Sequence, residues 1–264
     1  MVGKKDFRLF KYSSMFLMLL FFYLPIIIMV VFSFNSTKSL THFSGFSTRW
    51  YSQLFNNREM VAAVRVSLSI ALISTVVSTI VGTLTAIGLV HSKKVVRNVI
   101  LQINNLPIMN PEIVTAIGLM LLFIAFKIPK GFITMLLAHI AFSIPYVILT
   151  ILPKLRKLDP NLGDAAMDLG ATPSQALVKV ILPQITPSII SAALLAFTMS
   201  FDDFVISYFV TGNGVKNISI LVYTMSKRIN PSVNALSTIM VGVVTVFLVL
   251  INVIPMLKKK PQVV

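Results

Sequence analysis

A chain of 264 residues that is 56% hydrophobic and only 12% charged, with mean hydropathy +0.89, lies far outside the composition of water-soluble domains. A formal net charge of +15 would suggest nucleic acid as partner, but the 23 Lys and Arg residues sit between apolar stretches, which excludes that reading. The lack of cysteine excludes disulfides, thiolate metal sites and cysteine nucleophiles.

A membrane-spanning helix needs about 20 apolar residues. Residues 15–34, 66–90, 99–126, 132–152, 185–210 and 233–257 each meet that need. They fill more than half of the chain and leave no room for a soluble domain. The expected fold class is therefore an all-α membrane protein of six transmembrane helices, the first standing apart from a core of five. Residues 1–60 are read as tail, first helix and external loop, 61–257 as the core, and 258–264 as a basic tail. The first apolar run is too long for a signal peptide, and Ser33-Phe34-Asn35-Ser36 is not a small-x-small cleavage site.

Basic residues cluster in alternate connections: Lys4, Lys5, Arg8 and Lys11; Lys93, Lys94 and Arg97; Lys154, Arg156, Lys157 and Lys179; and Lys258, Lys259 and Lys260. By the positive-inside rule both termini and the segment 159–183 face the cytoplasm.

Along the chain, Trp50 and Tyr51 stand outside the second stretch, as interfacial aromatics or as cover for a cation. The run from Asn104 to Glu112 contains Pro107 and Pro111 and interrupts the third stretch near its middle. There Asn110 can cap and Pro111 can open a new half-helix with Glu112 in its first turn, facing the helix dipole or a solute. Broken helices at this depth are tolerated mainly where they line a cavity.

Between the fourth and fifth stretches, two short helices at an angle are expected. Asp159-Pro160 reads as the first start, Leu162, Ala165, Ala166 and Leu169 as its apolar stripe, and Gly170 as its stop. Thr172-Pro173-Ser174-Gln175 reads as a capping box opening the second helix, and Pro183 as the entry to the next span. Such a shaped knob, with small alanines on its surface, suggests docking into a partner.

Asp202 and Asp203 lie about two-thirds of the way across the fifth stretch. A carboxylate at depth costs on the order of 2.5–3.5 kcal/mol, and no Lys or Arg sits in the middle of any stretch to offset it. Ser188, Ala192, Ala196, Ser200 and Asp203 recur at helical steps and read as a pore-facing stripe, although small residues also serve close helix packing. The alternative for the acids is that one caps a broken helix and the other pairs with a neighbouring helix. Acids without counter-charges, Glu112 among them, make a negative path suited to a cationic solute. His139, inside an apolar stretch, reads as a packing hydrogen-bond donor. No phosphate loop and no metal-ligand spacing occurs, so no catalytic or metal residue is assigned. An aspartyl protease is disfavoured because adjacent residues on one helix point about 100° apart.

The order Asp164-Ala165-Ala166, Gly170, Val180, Leu182-Pro183 resembles the EAA loop of the membrane subunits of type-I ABC importers, with Asp for the usual Glu. The resemblance continues through Phe46–Tyr51, Asn110–Ile113, Ser200–Ser207 and Phe209–Gly212, and is greatest to spermidine/putrescine permeases. It implies a MetI-like permease fold with cytoplasmic coupling helices, a transport subunit rather than an enzyme, in the bacterial inner (plasma) membrane. It also implies two ABC ATPase subunits carrying the ATP and Mg, a second homologous permease in a hetero-dimer, and an external solute-binding protein. This chain itself would bind no cofactor. Asp164, Ala165, Ala166 and Gly170 would couple to the ATPase. Asp202, Asp203, Glu112, Trp50 and Ser200 would line the path of a polyamine. The alternatives are a permease of the same type for another small solute, or a proton-coupled secondary carrier relaying through Asp202 or Asp203.

Overall fold

The computed structural model describes residues 4–39, 41–212, 214–226 and 231–258; of the expected basic tail, Lys259, Lys260 and the residues after them lie outside this set. The described chain forms two compact units, one from residues 1–61 with 222–264 and one from 62–221.

In the first unit, α1 (Lys4–Ser33) is exposed along its whole apolar window. The loop after it is organised by Asn35. Its amide N–H groups donate to the Ser39 and His42 carbonyls at 3.0 and 2.8 Å, and its side-chain oxygen accepts from the Ser44 N–H at 2.9 Å. This loop leads into α2 (Arg49–Asn56), and α12 (Ser232–Lys258) packs along both α1 and α2.

The second unit holds most of α3 (Arg58–His91), then α4 (Lys94–Met109), α5 (Glu112–Ala125), α6 (Phe132–Leu155), α7 (Leu162–Asp168), α8 (Pro173–Ala176), α9 (Leu182–Phe201), α10 (Val205–Val210) and the start of α11 (Ile218–Ser226). Its helices are apolar outside and partly polar inside. On α3, Leu72, Val76, Ile80 and Leu84 recur every four residues and are exposed, whereas Ser67, Ser74 and Ser78 are buried. That inversion suits lipid, where tails are as apolar as leucine and helices associate through small residues and interhelical hydrogen bonds. Ala192 and Ala196 of α9 accordingly sit at 0% and 1% exposure in a core with Val147, Ile148 and Ile151 of α6. A second core joins Ile70, Ala116, Met135, Ala138 and Ile206.

Two expectations are corrected, and the interruption expected in the third stretch is found as a sharp bend: α4 and α5 meet at 107°, because Pro111 withholds an N–H and the chain is extended at Asn110. Its 16- and 14-residue halves are each too short to cross about 30 Å alone. The second coupling helix is not separate from the span. Pro173–Phe201 runs as one 29-residue helix through a π-helical turn at Leu177–Ile181, with Pro183 and Pro187 accommodated inside. The fifth stretch, in turn, is broken after Phe201 and resumes as α10. Four described helices are long and apolar enough to span, or five when the bent pair counts as one; the sixth expected segment coincides with α12.

Candidate functional site: a carboxylate cluster at two helix breaks

The break between α9 and α10 is organised by Asp203, which is 5% exposed. One carboxylate oxygen accepts from the Ile206 N–H at 3.2 Å, the other from the Ser207 N–H and hydroxyl, both at 2.7 Å. Asp203 therefore caps α10, satisfying donors that a helix start leaves orphaned. His139 Nε2 of α6 lies 3.3 Å from the same carboxylate and 3.0 Å from Ser207 Oγ. The other ring nitrogen meets Ser200 Oγ at 2.6 Å, and Ser200 meets Ser74 Oγ of α3 at 3.0 Å. Asn217 donates to the Asp203 carbonyl and to Ser207 Oγ, both at 2.9 Å. The chain's return is closed by Gly212, where a Cβ would stand 2.1 Å from the Lys130 carbonyl oxygen.

The partner that the sequence did not supply as Lys or Arg is thus a histidine, which meets the carboxylate through Nε2. Ser200 and Asp203 are not on an open pore face: their stripe, with Ala192 and Ala196, is packed inside the unit. Small residues at this spacing let α9 approach α6, and that use prevailed. The open face of α9 is the neighbouring one, where Ser191, Thr198 and Asp202 are exposed. Ser200, His139 and Asp203 form a hydroxyl–imidazole–carboxylate series, but Ser200 is 2% exposed and bonded to Ser74, so no substrate carbonyl reaches it.

Glu112, exposed in the first turn of α5, is close enough for its charge to act on both Asp203 and Asp202. It is brought there because α5 packs along α10. Tyr146 of α6 is within electrostatic reach of Glu112. Two breaks distant in sequence thus gather three carboxylates, and His139–Asp203 is the one ion pair among the described residues. Crowded like charges at low dielectric repel strongly, so the cluster is relieved by uptake of a proton or of a cation.

Trp50 belongs to the first unit and is 2% exposed; its indole N–H donates to the Asn35 carbonyl at 2.6 Å, and the Arg49 guanidinium lies 4.3 Å above its ring. Its ring therefore serves the loop, and the face expected to cover a solute is already occupied. Sequence reasoning gave Tyr146 no role; a lone aromatic in an apolar stretch carries no signal of its own.

In the coupling segment, Asp164 and Ala165 of α7 are exposed and Ala166 is half-buried. Helix α7 starts two residues later than expected, with Asp159 accepting from the Asn161 N–H at 2.9 Å. Gly170 ends it at φ +87°, a conformation that favours glycine. The Thr172–Gln175 capping box forms, with bonds of 3.0 and 3.3 Å. Leu169 is left 91% exposed at the tip.

Residues 78–257 match the family model of the binding-protein-dependent transport system inner membrane component. The chain belongs to that family. This permease is 40% identical over 232 residues to the putrescine transport system permease protein PotI of Escherichia coli K12, covering 85% of this chain and 83% of the relative. It is 38% identical over 234 residues to the spermidine/putrescine transport system permease protein PotC of the same strain, covering 88% of this chain and 89% of the relative. A bacterial ABC transporter involved in import of the acidic polysaccharide alginate shares the fold, with TM-score 0.74 at 16% identity over 97% of this chain and 98% of that one. The permease is accordingly a multi-pass inner-membrane transport subunit, not an enzyme, of a kind that works with an ATPase and a binding protein.

Proposed function

We propose that this permease forms half of the membrane path of an ATP-driven polyamine importer, taking spermidine, putrescine or both. The observation that carries the reading is the convergence of Glu112, Asp202 and Asp203 at two helix breaks with no Lys or Arg paired to them among the described residues. A polyammonium solute offsets the charge of such a cluster as it passes. The names of its relatives, a putrescine and a spermidine/putrescine permease, support the same substrate class.

Within the cluster, exposed Asp202 and Glu112 meet the solute, while Asp203 holds the break in shape through Ser207 and His139. Ser200 belongs to that supporting network. Asp164, Ala165, Ala166 and Gly170, with Leu169 at the tip, dock into a groove of the ATPase, which carries the ATP and Mg. The permease core, 61–257, then pairs with a second, homologous permease above two ATPase subunits. Both termini and the coupling segment face the cytoplasm, and an external binding protein delivers the solute. The test is uptake of labelled putrescine and spermidine into vesicles holding the whole transporter. Asp202→Asn and Glu112→Gln should each lower uptake at least tenfold at unchanged membrane abundance. Unchanged polyamine uptake by the double variant would remove the cluster from the path.

A further inference from the structure

A second site lies away from the carboxylates, at the basic end of the second unit. A cavity of about 370 Å³ opens between α4 and α6, within the roughly 300–1,000 Å³ of small-ligand pockets. Its walls are apolar, Leu101 from α4 with Leu149 and Leu152 from α6, and its mouth carries Arg156 and Lys157. On α4, Arg97, Leu101 and Asn105 recur at steps of four and so share one face. Both polar members of that face are unsatisfied: Arg97 Nε and Asn105 Oδ1 are buried without a hydrogen-bond partner. Such orphaned groups are costly away from water. Nearby, Asn104 of α4 donates to the Pro145 carbonyl of α6 at 3.4 Å and ties the two helices together. The nearest acid in sequence, Asp159, is engaged by the Asn161 N–H at 2.9 Å.

We propose that this cavity binds an anionic phospholipid of the leaflet at the basic end of the molecule. The phosphate sits between Arg156 and Lys157, the Asn105 amide meets the glycerol ester region, and an acyl chain lies along Leu101, Leu149 and Leu152. A cleft lined by three leucines and two cations matches a lipid better than a soluble anion, which has no use for the apolar walls. Basic recesses between membrane helices recognise acidic headgroups in this way. The amide can present its N–H₂ to an ester carbonyl by a simple flip, since its oxygen and nitrogen are nearly isosteric.

The test is native mass spectrometry of the full-length permease in detergent, titrated with phosphatidylglycerol or phosphatidylcholine of identical acyl chains. The wild type should prefer phosphatidylglycerol by at least tenfold, and R156Q/K157Q should abolish that preference. K154Q removes one positive charge from the same helix end but none from the cavity, and should keep the preference. Should the charge pair fail to fold, Leu101→Trp fills the apolar wall and should weaken both lipids while sparing the preference. Equal binding of the two lipids, or an equal loss in K154Q, would overturn the proposal. So would displacement of the lipid by millimolar inorganic phosphate, which would mark a site for free anions.

Discussion

Replacing Asp203 by Asn tests whether this acid holds the break or touches the solute. The carboxylate accepts four contacts, from the Ile206 N–H, the Ser207 N–H and hydroxyl, and His139 Nε2, over 2.7–3.3 Å. An amide keeps one oxygen, so whichever way it turns, its N–H₂ group faces donors that the second oxygen had satisfied. A lost helix cap costs about 1 kcal/mol, and a buried N–H left without an acceptor about 1–3 kcal/mol. Interhelical hydrogen bonds in membranes average nearer 0.6 kcal/mol, which pulls the total to the lower side. The expected loss is about 2 kcal/mol, roughly a thirtyfold shift in the folding equilibrium. Denaturant unfolding of the purified permease in mixed micelles, followed by circular dichroism, measures it, and Asp202→Asn is the paired control, expected within about 0.5 kcal/mol of wild type because its side chain is exposed. If Asp203→Asn proves as stable as wild type while uptake is abolished, Asp203 contacts the solute and the anchoring argument is wrong.

Gly212→Ala should lower the yield of folded permease, with a cost of about 1–3 kcal/mol, since its Cβ would meet the Lys130 carbonyl oxygen at 2.1 Å; fluorescence-detected size exclusion would report it, and a normal profile would refute it. Leu169→Asp and Ala166→Arg should release the ATPase on affinity purification while leaving membrane abundance unchanged, because Leu169 is 91% exposed at the tip of the coupling segment; co-purification at the wild-type ratio would contradict the docking proposal. Expressed without partner chains, the permease should take up no polyamine under a proton gradient. Uptake in that state would favour the secondary-carrier alternative.

The parts of this fold that were legible in sequence are those decided by neighbours along the chain. The Thr172–Gln175 capping box, the stop at Gly170 and the interruption around Pro111 each follow from a few adjacent residues, and each is found. What failed was decided by contacts far apart. The small-residue stripe through Ser200 suits either a pore or a tight helix pair, and only the position of α6 selects the second. His139 and Asp203 lie 64 positions apart, and no periodic pattern links them. Pro183 does stand in the first turn of α9, as expected, but the π-helical turn at Leu177–Ile181 that joins it to the capped helix has no signature in a few adjacent residues.

The continuity of Pro173–Phe201 has a mechanical meaning. At about 1.5 Å per residue, its 29 residues make a rod roughly 43 Å long, with the capping box at one end and Asp202 immediately beyond the other. A tilt of about 10° pivoting at the capped end sweeps the far tip by roughly 7 Å on that length. That exceeds the reach of a carboxylate–ammonium contact. On the proposed role of Asp202, the helix would work as a lever whose long arm ends beside the solute, and a small rotation at its capped end would withdraw the acid without changing it.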